Sequence, residues 1–315
     1  MRGGYGRVWG LQLRHGDCKM LSAAAPRPVS QSWRRLLQRS RHVCDATVTG
    51  GYDRYEIAKF AKMADDWWKP NGPMEMLHLM NPVRIGYIAS RLGVDLKSNA
   101  FPFSGLRILD VGCGAGILTE SLARLGATVV GVDRCAEAVM AAKIHAKRDP
   151  LFTSQNLAYF DGGVEEVVGF CEGLAWEAFD VVTCLEVIEH FPNAKCRDGF
   201  VKNVASVVKP GGSLFLSTIN RTAKAYALAI VGAEYLLRWV KPGTHDFNKF
   251  VMPNELADMV RKVGLDPVHQ TGAVLDPVRR HWSLSESDLD INYMMHCRKP
   301  TMSSPWDKGA PTAGV

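Results

Sequence analysis

The stretch Ile108–Gly116, ILDVGCGAG, constrains this chain more than any other. Apolar residues running into Asp110 read as the end of a buried strand, and the glycines that follow turn the chain into a helix. Glycine belongs where backbone must approach a ligand closely or take positive φ. A second β-branched run, ATVVGVD, ends on Asp133, 23 residues beyond Asp110. Strand, Gly-rich turn, helix and a strand closing on an acid make a nucleotide-cradling βαβ unit, with the second acid placed to accept ribose hydroxyls. A Gly-rich turn after a strand is by itself a weak signal, because dinucleotide enzymes share it. Here the order is D-x-G-x-G-x-G rather than G-x-G-x-x-G, which points to S-adenosylmethionine instead. Asp110, Gly112, Gly114 and Gly116 would then shape the turn around the amino-acid part of the cofactor, and Asp133 would take the ribose. Asp161 and Gly162, after the third strand, are weaker candidates for the adenine border, since Asp-Gly is also an ordinary turn pair.

Strands alternate with helices around this unit. The strand segments are RILDV, ATVVGVD, LAYFDG, FDVVTCLEV, GGSLFLSTI, a segment near GLDPVHQT, and INYMMHCR. Between them LTESLARLG, EAVMAAKIHAK, a stretch from Asp198 through Val208 and PNELADMVRKVG read as helices. This alternation predicts an α/β, Rossmann-like class I S-adenosylmethionine-dependent methyltransferase fold. Its sheet would have seven strands, mostly parallel, with helices on both faces and an antiparallel final strand. The domain is expected over residues 51–298. It begins with a helical segment, 53–95, that resumes after Pro82, and a polar, Pro/Gly-containing tail, 299–315, is expected to be disordered.

The net charge of +6 is unevenly spread. Residues 1–41 carry nine Lys/Arg and one acid, a net +8, which leaves 29 bases and 31 acids, a net −2, for the remainder. A slightly acidic body without a basic stripe argues against nucleic-acid binding. The basic leader, with Arg34, Arg35, Arg39 and Arg41 around Leu36 and Leu37, reads as an organelle transit peptide over about residues 1–50, the alternative being a basic disordered tail. The eight cysteines form no C-x-x-C pair and no framework spacing, which suits a reducing interior. The apolar fraction of 47% fits a substantial core, and no apolar run approaches the roughly 18 residues of a spanning helix.

FDVVTCLEVIEHF, residues 179–191, is the second dense stretch. Its strand would end near Cys184 and set Leu185 and Glu186 at the carboxyl edge, where open α/β sheets bind ligands. Glu186, Glu189 and His190 have i, i+3, i+4 spacing, so one helical turn would point all three the same way. Two carboxylates and an imidazole suit Mg²⁺ better than Zn²⁺. Spacing alone leaves open the alternative that Glu189 and His190 only cap a helix or bond locally. His190 is also a candidate general base.

Several separated motifs over residues 53–297 resemble the ubiquinone-biosynthesis O-methyltransferase family in its mitochondrial branch. They are EIAKFAKMADDWW, LHLMNPVRIGYI, ILDVGCGAGIL, EVIEH, KPGGSLFLSTINRT, IVGAEYLLRWV, GTH and the late INY. The resemblance implies cofactor contacts at Arg84, Gly112, Asp133 and Leu185, and Mg²⁺ held by Glu186, Glu189 and His190. A guanidinium such as that of Arg84 is a planar fork suited to the cofactor's carboxylate. The implied acceptors are polyprenylated phenols, a dihydroxy-polyprenylbenzoate and a demethylubiquinol. The implied location is the matrix side of the mitochondrial inner membrane, peripherally bound and in a complex with other ubiquinone-biosynthesis proteins. The chain departs from the family at Leu275-Asp276-Pro277, where Tyr-Asn-Pro is usual, and at Lys241-Pro242, where Pro-Lys is common. Both departures fall on the acceptor side.

Residues 220–250 mix apolar residues (Tyr226, Leu228, Tyr235, Leu236 and Trp239) with Lys224, Glu234, Arg238 and Lys241. An interfacial helix and a lid packed on the protein's own core fit this pattern equally; the long-tailed acceptors implied by the resemblance favour the membrane. The competing functions are a methyltransferase for another small molecule and a non-catalytic cofactor-binding scaffold.

Overall fold

Alternation of β-branched strands with amphipathic helices produces the expected layers. The computed structural model describes residues 57–58, 66–69, 71–167, 178–228 and 246–301. The expected transit peptide, the tail beyond Thr301 and residues 229–245 of the lid or membrane segment lie outside the described residues.

The strands are β1 (Arg107–Val111), β2 (Thr128–Asp133), β3 (Leu157–Asp161), β4 (Phe179–Leu185), β5 (Val208–Ile219), β6 (Asp266–Asp276), β7 (His281–Ser285) and β8 (Asn292–Arg298). The long helices are α1 (Glu75–Leu92), α2 (Ile117–Arg124), α3 (Ala136–Ala146), α4 (Ala194–Ser206) and α5 (Pro253–Lys262). The sheet order is β3-β2-β1-β4-β5-β8-β6-β7. Strands β1 to β5 pair in parallel, and β8 inserts antiparallel between β5 and β6. The chain winds outward in one direction from β1 and in the other from β4. The crevice above the carboxyl ends of these two strands is therefore the topological switch point, where ligands bind in such sheets.

Period-two alternation sorts the core onto two faces. Leu109, Val182, Leu214, Leu216 and Met295 meet Phe200, Val204, Leu256 and Val260 of α4 and α5. Ile108, Val129, Val181, Phe215 and Met294 meet Ile85, Ile88, Leu118, Leu122 and Val139 of α1, α2 and α3.

Two expectations need correcting. Helix α1 does not restart after Pro82 but runs through it. An interior proline removes a hydrogen bond and costs about 3 kcal/mol. Burial of Met80, Ile85, Tyr87 and Ile88 opposes that cost, as does Asn81, whose Nδ2 donates to Ile117 O at 3.2 Å and Ser121 Oγ at 2.9 Å on α2. The sheet also has eight strands rather than seven, because β6 extends to Asp276 and folds back as β7. HWSLS carries no β-branched residue and lies on the sheet edge with only Trp282 buried, so its pattern gave no strand signal.

Candidate active site

At the end of β1 the backbone turns sharply, and Gly112 N and Cys113 N donate to Val132 O at 2.8 and 3.1 Å. Gly112 and Gly114 take φ +74° and +53°, and any side chain on them would strike Val187 and the Trp67 ring respectively. Backbone conformation and space both require glycine at these two positions. Asp133 closes the unit: its Oδ2 accepts from Gly114 N and its Oδ1 from Cys135 N, both at 2.8 Å. Burial pushes its carboxyl pKa upward against those two bonds. Asp110 is buried beneath the turn, with Thr119 Oγ1 donating to Oδ2 at 2.6 Å and Thr183 Oγ1 to Oδ1 at 2.7 Å. Burial outweighs both hydroxyls and raises the Asp110 pKa to about 6.

The other wall starts at Leu185, the buried last residue of β4. Glu186 follows with φ 58°, a left-handed conformation that is uncommon for a non-glycine residue and often marks a functional turn. Ser217 at the end of β5 holds it there. Its carbonyl accepts from Glu186 N at 3.0 Å, and its hydroxyl donates to Glu186 Oε1 at 2.6 Å. Asn292 Nδ2 reaches Oε2 at 3.4 Å, and Arg84 Nη2 lies 3.6 Å from Oε1. Arg84 projects from α1 and is buried, with no hydrogen-bond partner on Nε or Nη2. Burial lowers its pKa, against the pull of Glu186. A buried guanidinium held by a long ion pair, with Nε lacking a hydrogen-bond partner, keeps donor capacity for a further anion.

Glu186, Glu189 and His190 do not form the expected one-face trio. The left-handed residue at 186 interrupts the backbone, and residues 188–190 form a 3₁₀ turn instead of α-helix. Glu189 therefore turns into the interior, 5% exposed, and accepts from Thr218 Oγ1 at 2.8 Å. Burial, reinforced by the nearby Glu186 charge, raises its pKa to about 7. Among the described residues no group of three His, Cys, Asp or Glu side chains is gathered so as to hold a metal ion. Glu186 and Glu189 each accept one hydroxyl, from Ser217 and Thr218, and the described residues do not gather the three-ligand seat expected for Mg²⁺.

The predicted residues Arg84, Asp110, Gly112, Gly114, Asp133, Leu185 and Glu186 thus meet around one crevice. Asp161, the candidate for the adenine border, is the β3 register partner of Asp133; its side chain is exposed, 3.9 Å from Lys143 Nζ, and the following Gly162 N donates to Asp133 O at 2.9 Å. Sequence reasoning missed the supporting groups Thr119, Thr183, Ser217, Thr218 and Asn292. The hydroxyls of Ser217 and Thr218, following the apolar run Leu214–Leu216 at the carboxyl end of β5, were the available signal.

The crevice, its glycine turn and its paired acids define a class I S-adenosylmethionine-dependent methyltransferase. A model described as a methyltransferase domain matches residues 85–270. A solved 1,6-didemethyltoxoflavin-N1-methyltransferase from Burkholderia thailandensis, with bound 1,6-didemethyltoxoflavin and S-adenosylhomocysteine, has a similar fold. Its TM-score is 0.51 at 15% identity, covering 81% of this chain and 93% of that one. The ubiquinone biosynthesis O-methyltransferase of Cereibacter sphaeroides is 42% identical, over 81% of this chain and 99% of its own length. That of Dinoroseobacter shibae is 44% identical with the same two coverages. The chain belongs to the ubiquinone biosynthesis O-methyltransferase family.

Proposed function

We propose that this enzyme methylates a phenolic oxygen of polyprenylated catechol or hydroquinol intermediates, a dihydroxy-polyprenylbenzoate and a demethylubiquinol. The observation that carries the site reading is Arg84, a buried guanidinium whose Nε has no hydrogen-bond partner and whose Nη2 lies 3.6 Å from Glu186 at the carboxyl edge. S-adenosylmethionine, when bound, supplies an already activated methyl group on sulfonium. The protein's part is alignment and removal of one proton. Arg84 takes the cofactor's carboxylate, Asp133 accepts from the ribose hydroxyls with its remaining lone pairs, and Leu185 packs beside them. Glu186, fixed by Ser217 and Asn292, orients the acceptor hydroxyl at the carboxyl edge. His190, on the turn just beyond it, takes the phenolic proton, as suits an imidazole working near neutral pH.

No step is routed through Mg²⁺, because Glu186, Glu189 and His190 are not gathered as a metal seat among the described residues. Titrating Mg²⁺ into the acceptor-free protein should give no saturable binding in the micromolar range. Micromolar binding lost in Glu186→Ala would show a metal seat that this arrangement lacks.

We further propose delivery of the acceptor at the matrix face of the mitochondrial inner membrane, after import directed by residues 1–50, in company with other ubiquinone-biosynthesis proteins. Supporting membrane contact, Tyr226 and Leu228 are each about half exposed where the chain enters residues 229–245. No helix among the described residues is long and apolar enough to cross a bilayer. The decisive experiment is methyl transfer from labelled S-adenosylmethionine to a tail-less catechol and to a polyprenylated one in liposomes. Label on a phenolic oxygen of both is expected; label on neither overturns the reading.

A further inference from the structure

The glycine turn presents bare backbone to the crevice, so any opposing wall over it must come from another segment. The side chain nearest Gly114 is Trp67, from the short strap Asp66–Lys69 that precedes α1. Its six-membered ring occupies the space a Cβ on Gly114 would take. Trp67 belongs to none of the long helices or strands, yet it is only 6% exposed. It packs with Met74, Ala115, Ile117, Cys135 and Ala138. It thus spans from the glycine turn to the residues just after Asp133, the two ends of the cradle.

The strap is fastened at three points. His78 Nε2 bonds to Trp67 O at 2.8 Å, which ties it to α1. Trp68 Nε1 donates to Ala115 O at 2.9 Å, within the glycine turn itself. The Trp68 ring also stacks on His145 of α3, with centroids 3.5 Å apart and planes 3° from parallel. His145 Nδ1 in turn meets the buried Glu120 carboxylate of α2 at 2.9 and 3.0 Å. A surface strap pinned to three helices and to the cofactor turn is more than a tether for the segment before it.

We propose that Trp67 is a cofactor-contacting residue whose indole walls the site from the glycine turn to the residues after Asp133. Trp68 and His145 are the positioning residues that latch the strap in place. This rests on the reading that the glycine turn holds S-adenosylmethionine. An aromatic wall adds buried area and a flat face at low entropic cost. A wall packed against the turn adds contacts that departing cofactor must break, so loosening the strap should speed release.

The test uses the full chain and S-adenosylhomocysteine, with calorimetry for affinity, displacement of radiolabelled S-adenosylhomocysteine for release and tryptophan fluorescence for the contact. Trp67→Ala should weaken binding about tenfold or more, with most of the change in the dissociation rate. Trp67→Phe should recover most of the affinity while losing the fluorescence change that binding produces in the parent protein. His145→Ala should speed release and diminish that fluorescence change. His145→Phe keeps a ring beneath Trp68 and should restore both, which a general loss of stability would not allow. A parent protein that fails to bind would sink the cofactor reading itself. A parent that binds, alongside a Trp67→Ala variant with equal or tighter affinity, overturns the strap proposal alone. If Trp67→Ala does not fold, the Phe variant decides, because an undiminished fluorescence change there places the signal, and the contact, elsewhere.

Discussion

On the β1–β2 side of the crevice, the contacts that shape the site are largely backbone. Gly112 and Cys113 bond to Val132 O, and Gly114 and Cys135 amides bond to Asp133. On the β4–β5–β8 side the shape comes from side chains: Ser217, Asn292 and Arg84 around Glu186, and Thr218 on Glu189. A wall of backbone amides is rigid and tolerates almost no change of residue where φ is positive. A wall of side chains can be retuned one residue at a time. The first half suits a cofactor that never changes, and the second an acceptor that differs between enzymes.

The largest expected effect breaks the rigid half. Gly114→Val forces a β-branched side chain into a left-handed position occupied by Trp67. Binding of S-adenosylmethionine should fall below detection by calorimetry, in a protein whose far-ultraviolet circular dichroism is unchanged. Retained affinity would mean the turn is not the cofactor's seat.

Next in size is a change confined to the adaptable half. His190→Ala should lower kcat by about 10²–10⁴-fold, the usual worth of a positioned general base. Its affinity for S-adenosylmethionine should stay within about threefold, well under 1 kcal/mol. Loss of both together would erase the division between the halves. Asp133→Ala should behave oppositely, weakening cofactor binding by on the order of 1.5–3 kcal/mol as charged hydrogen bonds are lost. Turnover at saturating cofactor should persist.

The same division explains what the sequence disclosed. Asp110, Gly112, Gly114 and Asp133 were legible because backbone geometry imposes residue identity at those places. The parallel sheet was legible for a similar reason, since strands buried on both faces must be apolar along their length. The 186–190 turn was not. Its i, i+3, i+4 spacing assumed α-helix, but a single left-handed residue at Glu186 sent Glu189 inward to Thr218. Turn type depends on what the neighbouring strand offers, here the Ser217 carbonyl and hydroxyl, and spacing carries no record of that partner. Strand β7 was missed because an edge strand needs only one buried side chain, Trp282, to stay in place. Arg84 came from family resemblance alone. Its importance lies in a distance from Glu186, more than 100 residues later, that no local pattern encodes.

The smallest expected effect tests whether the rigid half carries a cost in stability. Asp110 sits buried beneath the glycine turn, and burial raises its pKa to about 6 from an ordinary carboxylate value of 3.8. Between those two values the folded protein holds a proton there that the unfolded chain has released. Stability from this group is therefore full below pH 4 and declines as the pH rises through about 6. Asp110→Asn keeps an oxygen acceptor for one threonine, and the other hydroxyl can turn to accept from the amide. It removes the buried charge, whose cost for a shift of that size is about 3 kcal/mol, and gives part of that back in weaker amide–hydroxyl bonds, so the cofactor-free variant should be more stable than the parent at pH 8 by on the order of 1–2 kcal/mol. At this chain length that corresponds to a rise of a few degrees in Tm. The advantage should shrink steadily as the pH is lowered from about 6 toward 4, where the parent carboxyl is neutral in the folded state as well. Thermal melts of both proteins across that range provide the check. A constant difference at every pH would mean that Asp110 is not titrating in the folded state, and the pairing with Thr119 and Thr183 alone would then account for its burial.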